Sequence, residues 1–198
     1  PVDIPLVRPS TVKLLVRAYL KNEGKIIYPV FASRRGHPPL IPANLAAAVV
    51  ESQAKDGLRG FLREHESMAL ELPVPDRNIL MDMDSPESFE EVLKRAEHYD
   101  VPTREECGII LGHTIPVSKK VILHSRMVER LTSAICAALV EKNETLDLEL
   151  ASAAALLHDI AKGQKKHAEK GAEILRELGF GRVADIVAQH ADLNALPG

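Results

Sequence analysis

The spacing of apolar positions changes its period near the middle of the chain. After Ser10, the order Val12, Leu14, Leu15, Ala18 and Tyr19 fits a helix over 9–22, with Asn22 and Gly24 at its stop. Residues 25–31, Lys-Ile-Ile-Tyr-Pro-Val-Phe, are β-branched and aromatic and predict a buried strand, and a turn-rich loop follows over 33–39. Further helices are expected at 42–54 and 57–65, and short strands at 67–73 and 78–82. Ser85-Pro86 opens another helix, with a polar cap and proline in the first position. This half alternates strand and helix. Residues 98–118, with Pro102, Gly112 and Pro116, break the rhythm. Every periodic segment after them is helical: 119–142, 147–160, 166–178 and 182–191, joined by short polar links as in a helical bundle. The expected organisation is therefore an α/β portion over 1–100, a linker over 101–118 and an all-α domain over 119–198. The opening Val2-Asp3-Ile4-Pro5 reads as the end of a strand entering a loop, and the finish at Leu196-Pro197-Gly198 is abrupt. The chain is thus expected to start partway through a domain and to lack material at both ends.

Composition narrows the function classes. With 198 residues, 45% hydrophobic and 27% charged, the chain has the makeup of a globular protein with one large core or two modest ones. A formal net charge of −3 argues against a general nucleic-acid or membrane-surface binder, whose footprint would be basic. Cys107 and Cys136 lack zinc-type spacing and any disulfide framework, which points to a reducing, cytoplasmic setting. No apolar run approaches the ~20 residues of a membrane helix, and no signal-peptide pattern is present. Nothing in the pattern specifies an oligomeric state.

Four of the eight histidines lie in the helical half, each in step with apolar positions. His124 is spaced with Val128, Leu131 and Ile135, and His158 with Ala151, Ala154 and Ala155. His167 is spaced with Gly171, Ile174 and Leu178, and His190 with Val183, Ile186 and Val187. These three-, four-, seven- and eleven-residue steps place each imidazole on an inward stripe. One such histidine is ordinarily a core residue bonded to a carbonyl. Four converging imidazoles leave several polar nitrogens in need of partners, and a divalent cation satisfies them together. Asp159, directly after His158 at a helix end, adds a hard anionic ligand suited to zinc, iron, manganese or a similar ion.

Leu156-Leu-His-Asp-Ile-Ala-Lys162, with His124 one helix upstream, resembles the signature of HD-domain phosphohydrolases over about 119–191. By that resemblance His124, His158 and Asp159 bind a first ion. His167, in His-Ala-Glu-Lys-Gly-Ala, and His190 resemble the extra histidines of the subgroup that holds two metals. The family completes its site with a later aspartate on a further helix; Asp192 is the candidate here and stands closer to His190 than that pattern places it. A metal in this site activates water for attack on phosphorus. Lys162 is either a stabiliser of developing phosphate charge or a solvated member of the lysine run 162–166.

Asp3 in Val-Asp-Ile-Pro-Leu-Val, Arg34-Arg-Gly-His-Pro-Pro39 and Leu80-Met-Asp-Met-Asp-Ser-Pro86 together resemble the C-terminal half of the nucleotidyltransferases that attach GMP or CMP to molybdopterin. The resemblance covers about 1–97 and implies a partial Rossmann-type domain. Asp3 and Asp84 would hold magnesium between the triphosphate and the pterin phosphate, and Asp82 would share a strand face with Asp84. Without that resemblance Asp3 is a turn or capping residue, and Asp82 and Asp84 are acids favoured at a helix start. The glycine-rich loop that cradles nucleotide phosphates has no counterpart in this chain, so nucleotidyl transfer by it is not expected.

The expected function is a metal-dependent phosphohydrolase acting on a small nucleotide or phosphate ester, in a protein linked to molybdenum cofactor maturation, with molybdopterin as a possible partner. The alternative is a parent that is chiefly a molybdopterin cytidylyl- or guanylyltransferase, with the helical domain accessory or regulatory and without turnover.

Overall fold

The computed structural model describes residues 2–191, which fold as two compact units divided between Asp84 and Ser85. The first is a three-stranded sheet with helices, and the second is helical.

In the first unit, α1 (Pro9–Tyr19) starts with Pro9 in its first turn, where no helical N–H is lost. β1 (Ile26–Phe31) is buried at every position, as its β-branched and aromatic run predicts. It runs parallel to β3 (Ala69–Pro73), in register from Ile26 opposite Ala69 to Val30 opposite Pro73. The expected loop after β1 instead opens with a short strand, β2 (Arg34–Arg35), paired antiparallel to β1. The intervening Ala32 and Ser33 both take positive φ, giving a primed hairpin turn without glycine. Gly36 then passes so close to Ile79 that a Cβ would lie 2.5 Å from its carbonyl oxygen, and only glycine fits. Where one helix is expected over 42–54, the backbone makes a 3₁₀ turn at Ala43–Leu45 and a short α2 (Ala46–Glu51); α3 (Gly57–Glu64) follows the expected span.

The strand expected at 78–82 is absent, and Arg77–Leu80 is a 3₁₀ turn. Its cap is Asp76, fully buried, which accepts hydrogen bonds from the Asn78 and Arg8 amides and the Thr11 hydroxyl. That carboxylate ties the start of α1 to the turn and leaves 78–80 without the extended backbone a strand needs.

In the second unit, α4 (Pro86–Glu97) opens on a capping box between Ser85 and Ser88. Residues 101–118, expected as a linker, instead fold: α5 (Arg104–Ile109) is capped by Thr103 and continues as a π-helical turn over Ile110–Thr114. Val101, Cys107, Ile110 and Leu111 belong to the same core as Leu157, Leu175, Phe180 and Val187. Pro102 and Pro116 flank this helix rather than interrupt it, so proline marks its ends. The helices α6 (Lys119–Val140), α7 (Leu148–Leu157), α8 (His167–Leu178) and α9 (Gly181–Gln189) complete the unit. Gly171 lets α8 approach closely: a Cβ there would stand 3.1 Å from Ile160 and 3.3 Å from Val187.

The helix α6 exposes much of the stripe expected to point inward: of the residues spaced with His124 only Val128 is half-buried, and His124 itself is exposed. Leu131 and Ile135, spaced with His124 and expected to point inward, are 58% and 60% exposed, and Leu123 and Met127 are exposed beside them. The buried residues of α6 are Ser125 and Glu129. Periodicity identifies an apolar stripe but not the surface that covers it, and here a polar face is buried because Glu129 is neutralised (below).

Asp147 caps α7, accepting from the Leu150 amide at 2.9 Å and from Arg182 of α9 at 2.8 Å. Burial pushes its carboxyl up, but these donors outweigh burial and hold its pKa below the ordinary carboxylate value. Asp147→Ala is expected to lower stability by about 1 kcal/mol in urea denaturation near neutral pH. Because the folded pKa is depressed, the contribution is present above the unfolded value and is lost as pH falls through the folded one. An unchanged urea midpoint would show that the cap contributes nothing.

Candidate metal centre

His158 and His190 occupy equivalent places, each the residue that ends a helix. The last carbonyls of a helix lack intrahelical donors, and each imidazole uses its Nδ1 to meet one. His158 Nδ1 lies 2.9 Å from the Ala155 carbonyl, and His190 Nδ1 lies 2.7 Å from that of Val187. A carbonyl only accepts, so the Nδ1 atoms carry the protons and the Nε2 lone pairs face the site. His167 is the first residue of α8, reached through Lys166 in left-handed conformation, and His124 lies in the second turn of α6.

These four Nε2 atoms surround Asp159, whose side chain is 3% exposed. Its Oδ2 lies 3.7 Å from His124 Nε2 and 3.4 Å from His158 Nε2, and these nitrogens are 3.3 Å apart. Its Oδ1 lies 3.5 Å from His167 Nε2 and 3.7 Å from His190 Nε2, with 3.1 Å between those two. Each carboxylate oxygen therefore belongs to a separate three-ligand group, and the residue joins them. A tetrahedral ion with bonds of about 2.0–2.1 Å needs ligand separations of about 3.3 Å, close to the spacing in both groups. The donor set, imidazole plus carboxylate, suits zinc, iron or manganese, and the Nδ1-to-carbonyl bonds are the outer support that such ligands ordinarily have. The residues present fit a divalent metal in each group.

Electrostatics agrees with the geometry. Burial pushes the His158 pKa down, favouring the neutral imidazole that ligation requires. Burial pushes Asp159 up, but the hydrogen bond and the charge of Lys162 beside it act the other way, and the carboxyl is held below its ordinary value. Lys162 Nζ lies 3.2 Å from both Asp159 oxygens, with its side chain about half exposed.

All five metal ligands expected from the helical half thus come together, and Lys162 joins them. Asp192 lies outside the described residues. In the first unit, Asp3, Asp82 and Asp84 are exposed and form no three-ligand group among the described residues. The link there is through backbone, the Met83 amide donating to the Asp3 carbonyl at 3.0 Å. With no strand at 78–82, the expected shared strand face of Asp82 and Asp84 is also absent. The Arg-Gly-His-Pro segment borders a cavity of about 690 Å³ lined by Tyr28, Arg35, His37, Arg59, Leu62 and Arg63. Arg35 is engaged by Glu66 and Glu71, and Arg63 by Asp56.

Sequence reasoning missed a second polar cluster. Glu129 of α6 accepts from Arg104 through both oxygens, at 2.6 and 3.0 Å, and from Ser133 and Ser152 at 3.2 and 3.1 Å. The available signal was the polar set Ser125, Glu129 and Ser133 at four-residue spacing on a helix rich in apolar residues.

Comparison with known proteins gives matches in both units. Residues 121–196 match the family model of the HD domain, and residues 1–68 match that of the MobA-like NTP transferase domain. An uncharacterized protein of Methanocaldococcus jannaschii is 35% identical over 75 residues, which are 36% of this chain and 44% of that relative. The chain thus spans less than half the length of the relative it matches. No solved structure matches it significantly. Among the described residues no helix is long and apolar enough to cross a membrane. The family models thus find in this chain an HD domain over residues 121–196, the stretch that carries His124, His158, Asp159, His167 and His190, and a MobA-like NTP transferase domain over residues 1–68.

Proposed function

We propose that the helical unit is a metal-dependent phosphohydrolase acting on a nucleotide or phosphate ester. The observation that carries this reading is the division of Asp159, one oxygen toward the His124–His158 pair and the other toward the His167–His190 pair. His124, His158 and Asp159 would hold one ion, and Asp159, His167 and His190 a second. A divalent ion there supplies Lewis acidity and water activation near neutral pH. The protein's own contribution is to hold three donors per ion in fixed orientation and, by burial, to favour the neutral form of His158. Lys162, half exposed beside the carboxylate, is placed to meet the negative charge of a phosphate oxygen.

The first unit, in this reading, binds the phosphorylated partner. Asp3, Asp84 and Asp82 are the residues that would meet magnesium by resemblance, although they form no three-ligand group among the described residues, and molybdopterin is the partner the NTP transferase-like domain suggests. A cytoplasmic site of action accords with such substrates.

The test is elemental analysis of the purified chain and of His158→Ala, with each protein assayed against a generic phosphodiester and a nucleotide panel. Stoichiometric transition metal, lost together with hydrolysis in the variant, is the expected result. Metal without turnover would replace this reading with a regulatory HD module beside a nucleotidyltransferase, and failure to bind any divalent metal would end the metal-centre reading.

A further inference from the structure

We propose that Glu129 is a positioning residue for the first metal group: it holds α6 in the register against α7 that brings His124 to His158. The inference rests on the metal-centre reading above. His158 and His190 are oriented by bonds from Nδ1 to their own helix carbonyls, whereas among the described residues His124 has no such anchor. Its place depends on where α6 sits. Apolar packing fixes it only in part: Val121, Ile122, Val128 and Cys136 are half-buried, Leu123, Met127, Leu131 and Ile135 are exposed, and the fully buried residues of α6 are Ser125 and Glu129.

The Glu129 carboxylate, 3% exposed, meets Arg104 of α5, Ser133 of its own helix and Ser152 of α7. It stands five residues after His124, and Ser152 six before His158, so the node lies close along both helices to the two ligands it would align. A slip of one residue moves a side chain by about 1.5 Å along the helix, against a tolerance of roughly 0.2 Å in metal–ligand distances. A buried carboxylate that must meet donors on two other helices permits few registers, because any slip leaves charge unpaired.

The test is calorimetric titration of the metal-free chain with Co²⁺, with absorption spectra of the bound ion, for wild type, His124→Ala, Glu129→Gln, Ser152→Ala and Ser133→Ala. Glu129→Gln is expected to weaken roughly tenfold the same binding event that His124→Ala removes, leaving the other unchanged. Ser152→Ala weakens that event to a smaller degree. Ser133→Ala, which removes a bond of similar length within α6, leaves both events as in wild type. If Glu129→Gln does not fold, the contrast between the two serine variants decides. Two normal events in both Glu129→Gln and Ser152→Ala, or equal weakening of both events, would overturn the positioning role and leave the metal centre standing. Absence of any binding by wild type would overturn both.

Discussion

Asp159→Asn is expected to remove both metal ions at once, taking bound metal from two equivalents per chain to near none and hydrolysis to the metal-free background. The two histidine pairs do not share a nitrogen, and the carboxylate is the one ligand common to both groups. An asparagine keeps the shape but offers one neutral carbonyl oxygen in place of two anionic ones. Its amide nitrogen would face either the His124–His158 pair or the His167–His190 pair and cannot ligate there. His124→Ala and His190→Ala, by contrast, each remove one ligand from one group and are expected to cost one equivalent. Metal content by elemental analysis, with circular dichroism to verify folding, reads the difference. Two equivalents retained by Asp159→Asn would sink the shared-carboxylate reading.

The largest loss of stability is expected from Glu106→Ala, about 3–5 kcal/mol. Glu106 is fully buried on α5 and accepts from Arg95 Nη2 of α4 at 3.1 Å and from the Thr103 amide at 2.7 Å. Truncation therefore removes the reciprocal half of the α5 capping box and takes the Glu106 carboxylate from the buried Arg95 guanidinium, which keeps its bonds to the His98 and Val101 carbonyls. A buried charge that has lost its counter-ion dominates such losses even where carbonyl bonds remain, so Arg95→Met combined with Glu106→Leu should recover a large part of the stability. Urea denaturation followed by circular dichroism measures both. A loss below about 1 kcal/mol for Glu106→Ala would mean that water reaches Arg95 and that the pair does not join α4 to α5.

The elements that sequence reading recovered were those with a self-contained signal. The strand at 26–31 is apolar at consecutive positions, and the helix at 86–97 carries its own cap and proline, so neither depends on distant residues. The short strand at 78–82 failed because Asp76 makes long-range bonds to Arg8 and Thr11, 68 and 65 residues away, and these hold the backbone in a 3₁₀ turn. The linker over 101–118 failed for a related reason: six residues of α-helix are too few to show a period, and their stability comes from packing Cys107, Ile110 and Leu111 into the common core.

At the candidate metal centre, the sequence by itself determined which residue types are on offer and their order along the chain, because imidazoles in step with a helix period and an aspartate at a helix end are local facts. Only the tertiary structure decided that the two oxygens of Asp159 face different histidine pairs, since that depends on how four helix segments cross. It also decided that α6 buries Glu129 and exposes Leu131. The apolar stripe of a helix is written in its own residues, but the partner that covers it, and the arginine and serines that make a buried carboxylate tolerable, lie on other helices.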